Sequence, residues 1–496
     1  MNRAVGQKAI AGAFWMLCSF GFAKVVGLAA NIALARLLFP EDFGVFAIAA
    51  AVVGAVSALG DLGTGAAVIY EQEAEADHTN SAFWLSMLAG VLQSVVVIVS
   101  APWIGELYGN HLLGEILMVL GVVFVITAAG ETHQMLLARE LRFKPKALLE
   151  LVPGLSSAAI SVVAAFQGLG VWSLVVGLVL GSALASALAW LLVPWRPFFR
   201  LSVTHARAVF RYGRSVMGLG LLIFLTDNVD YLIIGRILGP APLGLYSQGF
   251  RLATYPETTV VWAVQKVAFP TFSKLRDNQE ALRSAFLRAI RFLALVSLPA
   301  LALLMVLSPQ LIPVIYGSKW AAMVVPAQIL CFMGMARSVT AVSREMLMAV
   351  GRPDISLKCN LVVLPLATAG VMVGTQFGIE GVAVAMTAFL SAGSVTLLLL
   401  TNREIDLAHT RVFEALQPGI TGSLAILAGV GLFQGFGAAA LEANEVWTLV
   451  YSILLGCALY VASLLVFSRR TVAEACAIAL SFRKGRENEL WTGLAR

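Results

Sequence analysis

Apolar stretches of some twenty residues or more recur along the whole chain, which rules out a water-soluble fold. A helix that crosses the hydrocarbon core of a bilayer needs about 20 such residues. About fourteen runs qualify by this reading, near 10–35, 44–68, 80–104, 112–137, 147–167, 170–193, 213–238, 243–267, 286–307, 323–348, 357–377, 380–401, 415–436 and 446–468. Only 12% of the residues are charged, against about 25% in a soluble domain, so too little polar surface exists to cover an apolar core. The expected class is an all-α, polytopic integral membrane protein embedded in a lipid bilayer. The first run lacks a small-residue cleavage site and reads as a retained helix rather than a cleaved signal.

The basic residues lie in the gaps between runs. With both termini inside, most of the 34 Lys and Arg fall on the cytoplasmic side, clustered at Arg139–Lys146, Arg196–Arg214, Lys266–Arg291 and the tail from Arg469. Such an asymmetry sets orientation in a membrane. It orients the chain with both termini cytoplasmic and explains the net charge of +6 without nucleic acid as a partner. The acidic stretch Glu71–Asp77 falls inside against the trend, but acidic residues count little in this rule. Phe199–Tyr212 and Phe272–Arg291 mix Arg with apolar residues at helical spacing and are expected to lie along the inner leaflet.

The chain also repeats itself. At a separation of 200 residues Arg36 matches Arg236, Leu38 matches Leu238, Pro40 matches Pro240 and Gly44 matches Gly244, while Phe46 faces Tyr246. Later anchors follow in order, among them Tyr108-Gly109 with Tyr316-Gly317 and Gly170-Val171 with Gly381-Val382. An even number of helices per copy gives both copies one orientation. The expectation is two six-helix lobes related by a pseudo-two-fold along the membrane normal, with a substrate site between them. The lobes are 1–200 and 201–410, followed by two extra helices in 411–468 and a basic cytoplasmic tail in 469–496. Arg36 and Arg236 can snorkel to the outer interface. Pro40, Pro240, Gly44 and Gly244 are expected to shape matching turns.

Ionisable groups at membrane depth cost about 2.5–3.5 kcal/mol each on insertion scales, so the few present are informative. Lys24 is in the first run and Asp61 in the second. Asp227 and Asp230 are three residues apart in the seventh, and Arg337 is in the tenth. In the eighth run Gln248, Arg251, Tyr255, Thr258, Thr259, Trp262 and Lys266 recur every three or four residues. They draw a polar stripe down one helix face, and Pro256 is expected to bend it. Such a stripe must face water or protein. In one reading Lys24, Arg251 and Arg337 offer cations to an anionic substrate, with Gln248, Tyr255, Thr259 and Trp262 completing the binding surface. Asp61, Asp227 and Asp230 are then candidates for ion coupling. In the other reading these charges form ion pairs between helices, such as Lys24 with Asp61 or Arg251 with Asp227.

Nothing in the sequence points to an enzyme or to a bound cofactor. No phosphate-cradling loop ends in Lys-Ser/Thr, and no His, Cys and carboxylate cluster has metal spacing. The five cysteines read as small buried hydrophobes, and His133 as a packing residue.

The stretches Asp230–Gly239 and Leu243–Ser247, with Leu38–Gly44, Asp61-Leu62-Gly63 and Phe269–Leu275, resemble the polysaccharide-transporter branch of the multidrug/oligosaccharidyl-lipid/polysaccharide flippase superfamily. Its members include Wzx-type flippases and exporters of colanic acid, teichuronic acid and succinoglycan. The resemblance covers most of residues 1–410. It implies an undecaprenyl-diphosphate-linked oligosaccharide substrate, moved to the outer leaflet by alternating access for exopolysaccharide or lipopolysaccharide biosynthesis. It also implies a polysaccharide polymerase and export proteins as partners. Lys24, Arg251 and Arg337 suit the cations that face the diphosphate in that family. Two alternatives stand beside this: a multidrug or organic-cation antiporter of the same superfamily, and a non-transporting scaffold of a polysaccharide synthesis complex. An antiporter cavity should be dominated by acidic and aromatic groups. A scaffold would dock a partner on the segment Ser468–Arg496.

Overall fold

A chain crossing hydrocarbon must satisfy its backbone groups internally, and helices do so here. The computed structural model describes residues 21–60, 76–140, 143–199, 203–437 and 445–467, and every regular element among them is helical. The first six helices are α1 (21–37), α2 (Pro40–Gly60), α3 (Ala76–Leu107), α4 (His111–Arg139), α5 (Phe143–Phe166) and α6 (Trp172–Leu192). Next come α7 (Val203–Ile237), α8 (Pro240–Leu275), α9 (Gln279–Tyr316), a 3-10 turn (Ser318–Met323), α10 (Val324–Thr340) and α11 (Val342–Ala349). The last four are α12 (Pro353–Gly374), α13 (Gly378–Glu404), α14 (His409–Leu432) and α15 (Glu445–Phe467). Ten segments of the described residues are long and apolar enough to cross a membrane, and one of them, Pro353–Glu404, holds both α12 and α13. The multi-span, all-α character expected from the sequence is therefore present. α8, although 36 residues long, is not among the ten, because its stripe makes it too polar.

Packing divides the chain into two compact units, Met1–Ser247 and Gln248–Arg496. In the first, α3 packs on α4, α5 on α6, and α7 along α2. In the second, α9 packs on α14, α12 on α13, and α10 on α13, with α15 covering α14.

Local chemistry sets the helix ends. Pro40 and Pro240 each occupy the first turn of their helix, where the missing N–H costs nothing. The Phe39 N–H donates to Asp42 Oδ2 at 2.9 Å, which closes the start of α2. α3 and α9 run out at Tyr108-Gly109 and Tyr316-Gly317, and both glycines have positive φ (63° and 101°). This pair of turns follows the repeat. α10 and α11 are divided at Ala341. There the Thr340 hydroxyl donates to the carbonyls of Ala336 (2.9 Å) and Arg337 (3.3 Å) in the last turn of α10.

The expected surface helices are not separate elements. Residues 203–212 are the first turns of α7, which continues unbroken to Ile237. Residues 272–291 are divided between α8 and α9 by a tight turn, where Asn278 Oδ1 accepts the Ala281 N–H at 3.1 Å. At a rise of about 1.5 Å per residue α8 is roughly 54 Å long, well beyond a hydrocarbon core of about 30 Å. Its overhanging turns bury Phe272 against Phe286, Ile290, Val342, Met346, Ile405 and Val412. An amphipathic pattern fits a helix on a leaflet and a helix covered by neighbours equally well, and here neighbouring helices cover it.

The role expected for the repeated glycines also needs correction. Gly44 and Gly244 are buried inside α2 and α8, away from the turns. A side chain on Gly44 would overlap the carbonyl oxygen of Pro240, and one on Gly244 would overlap that of Pro40. The contact is reciprocal, as a two-fold relation between equivalent elements requires. Glycine is needed at both positions for close backbone approach. Ile48 (2% exposed), Phe43, Ile234 and Leu243 are buried in the same three helices, and a side chain on Gly235 would press on Ile48 and Leu243.

Candidate functional site

The sequence of α8 builds two unlike faces. Every fourth residue from Gly249 turns toward α10. Gly249 lies against Met323 and Ala327, and the Ala253 carbonyl sits where a side chain on Gly334 would touch it. One turn on, Glu257 Oε1 accepts from Arg337 Nε at 3.2 Å. Ala253 and Val261 are buried along the same line. Glycine and alanine let the two backbones approach, and the ion pair closes the row.

The stripe takes the other side. At 3.6 residues per turn Glu257 points about 200° away from Tyr255. Arg251, Thr258 and Lys266 are exposed, Tyr255, Thr259 and Trp262 are half-buried, and Gln248 is buried at the N-terminal end of the stripe. Among the described residues Gln248 Oε1 has no hydrogen-bond partner. The hydroxyls of Thr254, Thr258 and Thr259 donate back to carbonyls of their own helix at 2.8–3.2 Å, leaving their lone pairs outward. Lys266 Nζ stands 5.4 Å over the Trp262 ring, a cation–π contact. Arg251, Tyr255 and Tyr316 lie within electrostatic range of one another. α8 continues as a helix through Pro256 and Pro270.

The remaining candidates lie elsewhere. Lys24 is half-buried on α1, with Asn31 buried two turns on. Asp61 lies outside the described residues. Asp230 is fully buried on α7, where Oδ2 accepts the Tyr246 hydroxyl at 2.7 Å and Oδ1 accepts the Tyr231 N–H at 2.9 Å. The Tyr231 and Tyr246 rings meet edge to face at 6.1 Å, and Asp227 acts on Asp230 from one turn earlier. The structure thus gathers the α8 residues on one face and ties Asp230 to Tyr246. Arg337 is engaged on the far side of α8 from the stripe. Sequence reasoning missed Glu257, whose signal was a carboxylate in an apolar run, out of phase with the stripe. It also missed that Tyr246 serves Asp230.

His133 is enclosed by aromatic rings, stacked on Trp190 at 4.6 Å with Trp195 and Phe83 edge-on. Together with the Phe198 N–H to Asn80 bond of 2.9 Å, this fixes the 193–199 connector to the first unit. No group of three His, Cys, Asp or Glu among the described residues could hold a metal ion.

Known proteins share both sequence and fold with this chain. Residues 33–325 match the model of a family described as polysaccharide biosynthesis protein. The lipopolysaccharide biosynthesis protein WzxC of Escherichia coli (strain K12) is 28% identical over 376 residues, covering 75% of this chain and 76% of that protein. Among solved structures, the lipid II flippase MurJ in an inward closed conformation superposes with a TM-score of 0.76 at 15% identity, over 92% of this chain and 99% of that one. An inward-facing multidrug resistance MATE family transporter of the MOP superfamily gives 0.64 at 15% identity, over 79% and 98%. The match to the family model covers more than half of the chain and includes the whole α8 stripe, so the protein belongs to the polysaccharide biosynthesis protein family and has the fold of multi-span MOP transporters.

Proposed function

We propose that the protein moves a polyprenyl-diphosphate-linked oligosaccharide from the inner to the outer leaflet of a bacterial inner membrane. It would do so by alternating access, for exopolysaccharide or lipopolysaccharide assembly. The reading takes the chain as fourteen spans with both termini inside: two six-helix lobes, 1–200 and 201–410, and two further helices. The reciprocal Gly44/Pro240 and Gly244/Pro40 contact supports the repeat.

The observation that carries the reading is the polar face of α8. Hydroxyls and diphosphate charges cannot enter hydrocarbon unsolvated, at a cost of roughly 2–7 kcal/mol for each polar group. A face with Arg251, Tyr255, Thr258, Thr259, Trp262 and Lys266 substitutes for water. Arg251 meets the diphosphate by charge-assisted hydrogen bonds, and Lys24 of α1 is a further cation to examine for that role. Trp262 and Tyr255 offer flat apolar surfaces to sugar rings. The polyprenyl tail stays in lipid. Arg337 is assigned to holding α10 against α8 through Glu257. Asp61, Asp227 and Asp230 are the acids to examine for ion coupling. An antiporter for organic cations would need a face dominated by acids, whereas the charges on this one are Arg251 and Lys266.

Single cysteines along 248–266 test the reading. Membrane-impermeant maleimides should label positions 251, 255, 258, 259 and 262, and should spare 253 and 261. Uniform protection in every state would sink the proposal. A deletion strain separates the classes, since lost surface polysaccharide fits the flippase and drug sensitivity alone fits the antiporter.

A further inference from the structure

The two copies of the repeat part company along α2 and α8. The 200-residue separation that pairs Gly44 with Gly244 also sets Gln248 against Ile48, Arg251 against Ala51 and Tyr255 against Ala55. In the first unit Ile48 and Ala51 are buried apolar packing residues. In the second, the same register carries an amide, a guanidinium and a phenol, which packing alone does not account for. Gln248 is 4% exposed, and its Oε1 has no hydrogen-bond partner among the described residues. A buried acceptor left unpaired destabilises a fold, and a ligand group that donates to it removes that penalty.

The paired tyrosines differ in the same way. Tyr108, just past the end of α3, donates to the Leu232 carbonyl at 3.2 Å. Its counterpart Tyr316, the last residue of α9, is buried, with Trp320 edge-on to its ring at 6.2 Å. Among the described residues its hydroxyl makes no hydrogen bond, and Arg251 and Tyr255 lie within electrostatic range of it. Gln248 and Arg251 are three residues apart on one helix face, with about 5–6 Å between their Cβ atoms. All four side chains belong to the second unit.

We infer that Gln248 and Tyr316 read the hydroxyls of the sugar attached directly to the diphosphate, beside Arg251. A diphosphate only accepts hydrogen bonds, so it has nothing to give Gln248 Oε1. A sugar hydroxyl donates and accepts, as do an amide and a phenol, whereas a guanidinium only donates. The spacing from Arg251, roughly the width of one sugar ring, selects the first sugar over later ones. This rests on the flippase reading above and gives it a specificity-determining pair.

The test measures binding to the purified full-length protein in detergent. The probes are bare undecaprenyl diphosphate and the same lipid bearing a single glucose, galactose or N-acetylglucosamine. The unaltered protein should hold one of the sugar-bearing lipids about tenfold tighter than the bare diphosphate. Gln248→Leu and Tyr316→Phe should each cut that preference about three- to tenfold and leave affinity for the bare lipid unchanged. Both variants should fold, since one replaces an unpaired buried amide by an apolar group and the other keeps the ring against Trp320. Equal affinity of the unaltered protein for all four probes, or an unchanged preference in both variants, overturns the inference alone. Failure of the unaltered protein to bind any probe overturns the flippase reading and the inference with it.

Discussion

Replacing Arg337 alone by Ala is expected to remove most of the protein from the membrane. Glu257 is 6% exposed, and its carboxylate accepts from Arg337. Taking one member from a buried ion pair costs about 3–5 kcal/mol, because the other charge stays buried. That is a large part of a typical folding free energy of about 5–15 kcal/mol. Removing both charges, as Arg337→Met with Glu257→Leu, should restore accumulation, since apolar replacement of a whole buried pair is often neutral or better. Membrane levels and thermal unfolding in detergent check this. The same double variant locates Arg337 in the mechanism. If the pair only holds α10 against α8, transport survives. If Arg337 meets the substrate, the double variant folds and does not transport.

Neutralising Arg251 is expected to do the opposite, leaving the fold intact and removing function. Arg251 is exposed on the stripe, so Arg251→Ala should cost the fold little. Hydrogen bonds to charged groups contribute about 1.5–3 kcal/mol each, so the loss of one guanidinium should weaken diphosphate binding about 10- to 100-fold. Arg251→Lys should fall between, since an ammonium keeps the charge and loses the bidentate fork. Surface polysaccharide in a deletion strain carrying each variant, normalised to membrane level, gives the answer. Unchanged polysaccharide after loss of both Arg251 and Lys24 would favour the scaffold alternative.

Much of this was legible before any coordinates. The apolar runs and the scarcity of charge required helices across a bilayer, because backbone satisfaction in hydrocarbon leaves few other solutions. The α8 stripe could be read because three- and four-residue spacing fixes the face of a helix whatever surrounds it. Four identities 200 residues apart pointed to equivalent segments. What the sequence hid were contacts between distant segments. Gly44 and Gly244 read as turn residues, because nothing near them in sequence reports that another backbone sits on them. Glu257 and Arg337 are 80 residues apart, and nothing local pairs them. Phe272–Arg291 had the pattern of a surface helix, and only the neighbouring apolar residues Val342, Met346, Ile405 and Val412 decide otherwise.

The most direct measurement is translocation itself. Purified protein in liposomes, given a fluorescent undecaprenyl-diphosphate-linked saccharide in one leaflet, should bring it to the other. The Arg251→Ala protein, reconstituted in equal amount, should not. Equal rates for the two proteins, or rates no faster than protein-free liposomes, would contradict the assignment of the α8 face to a lipid-linked diphosphate sugar.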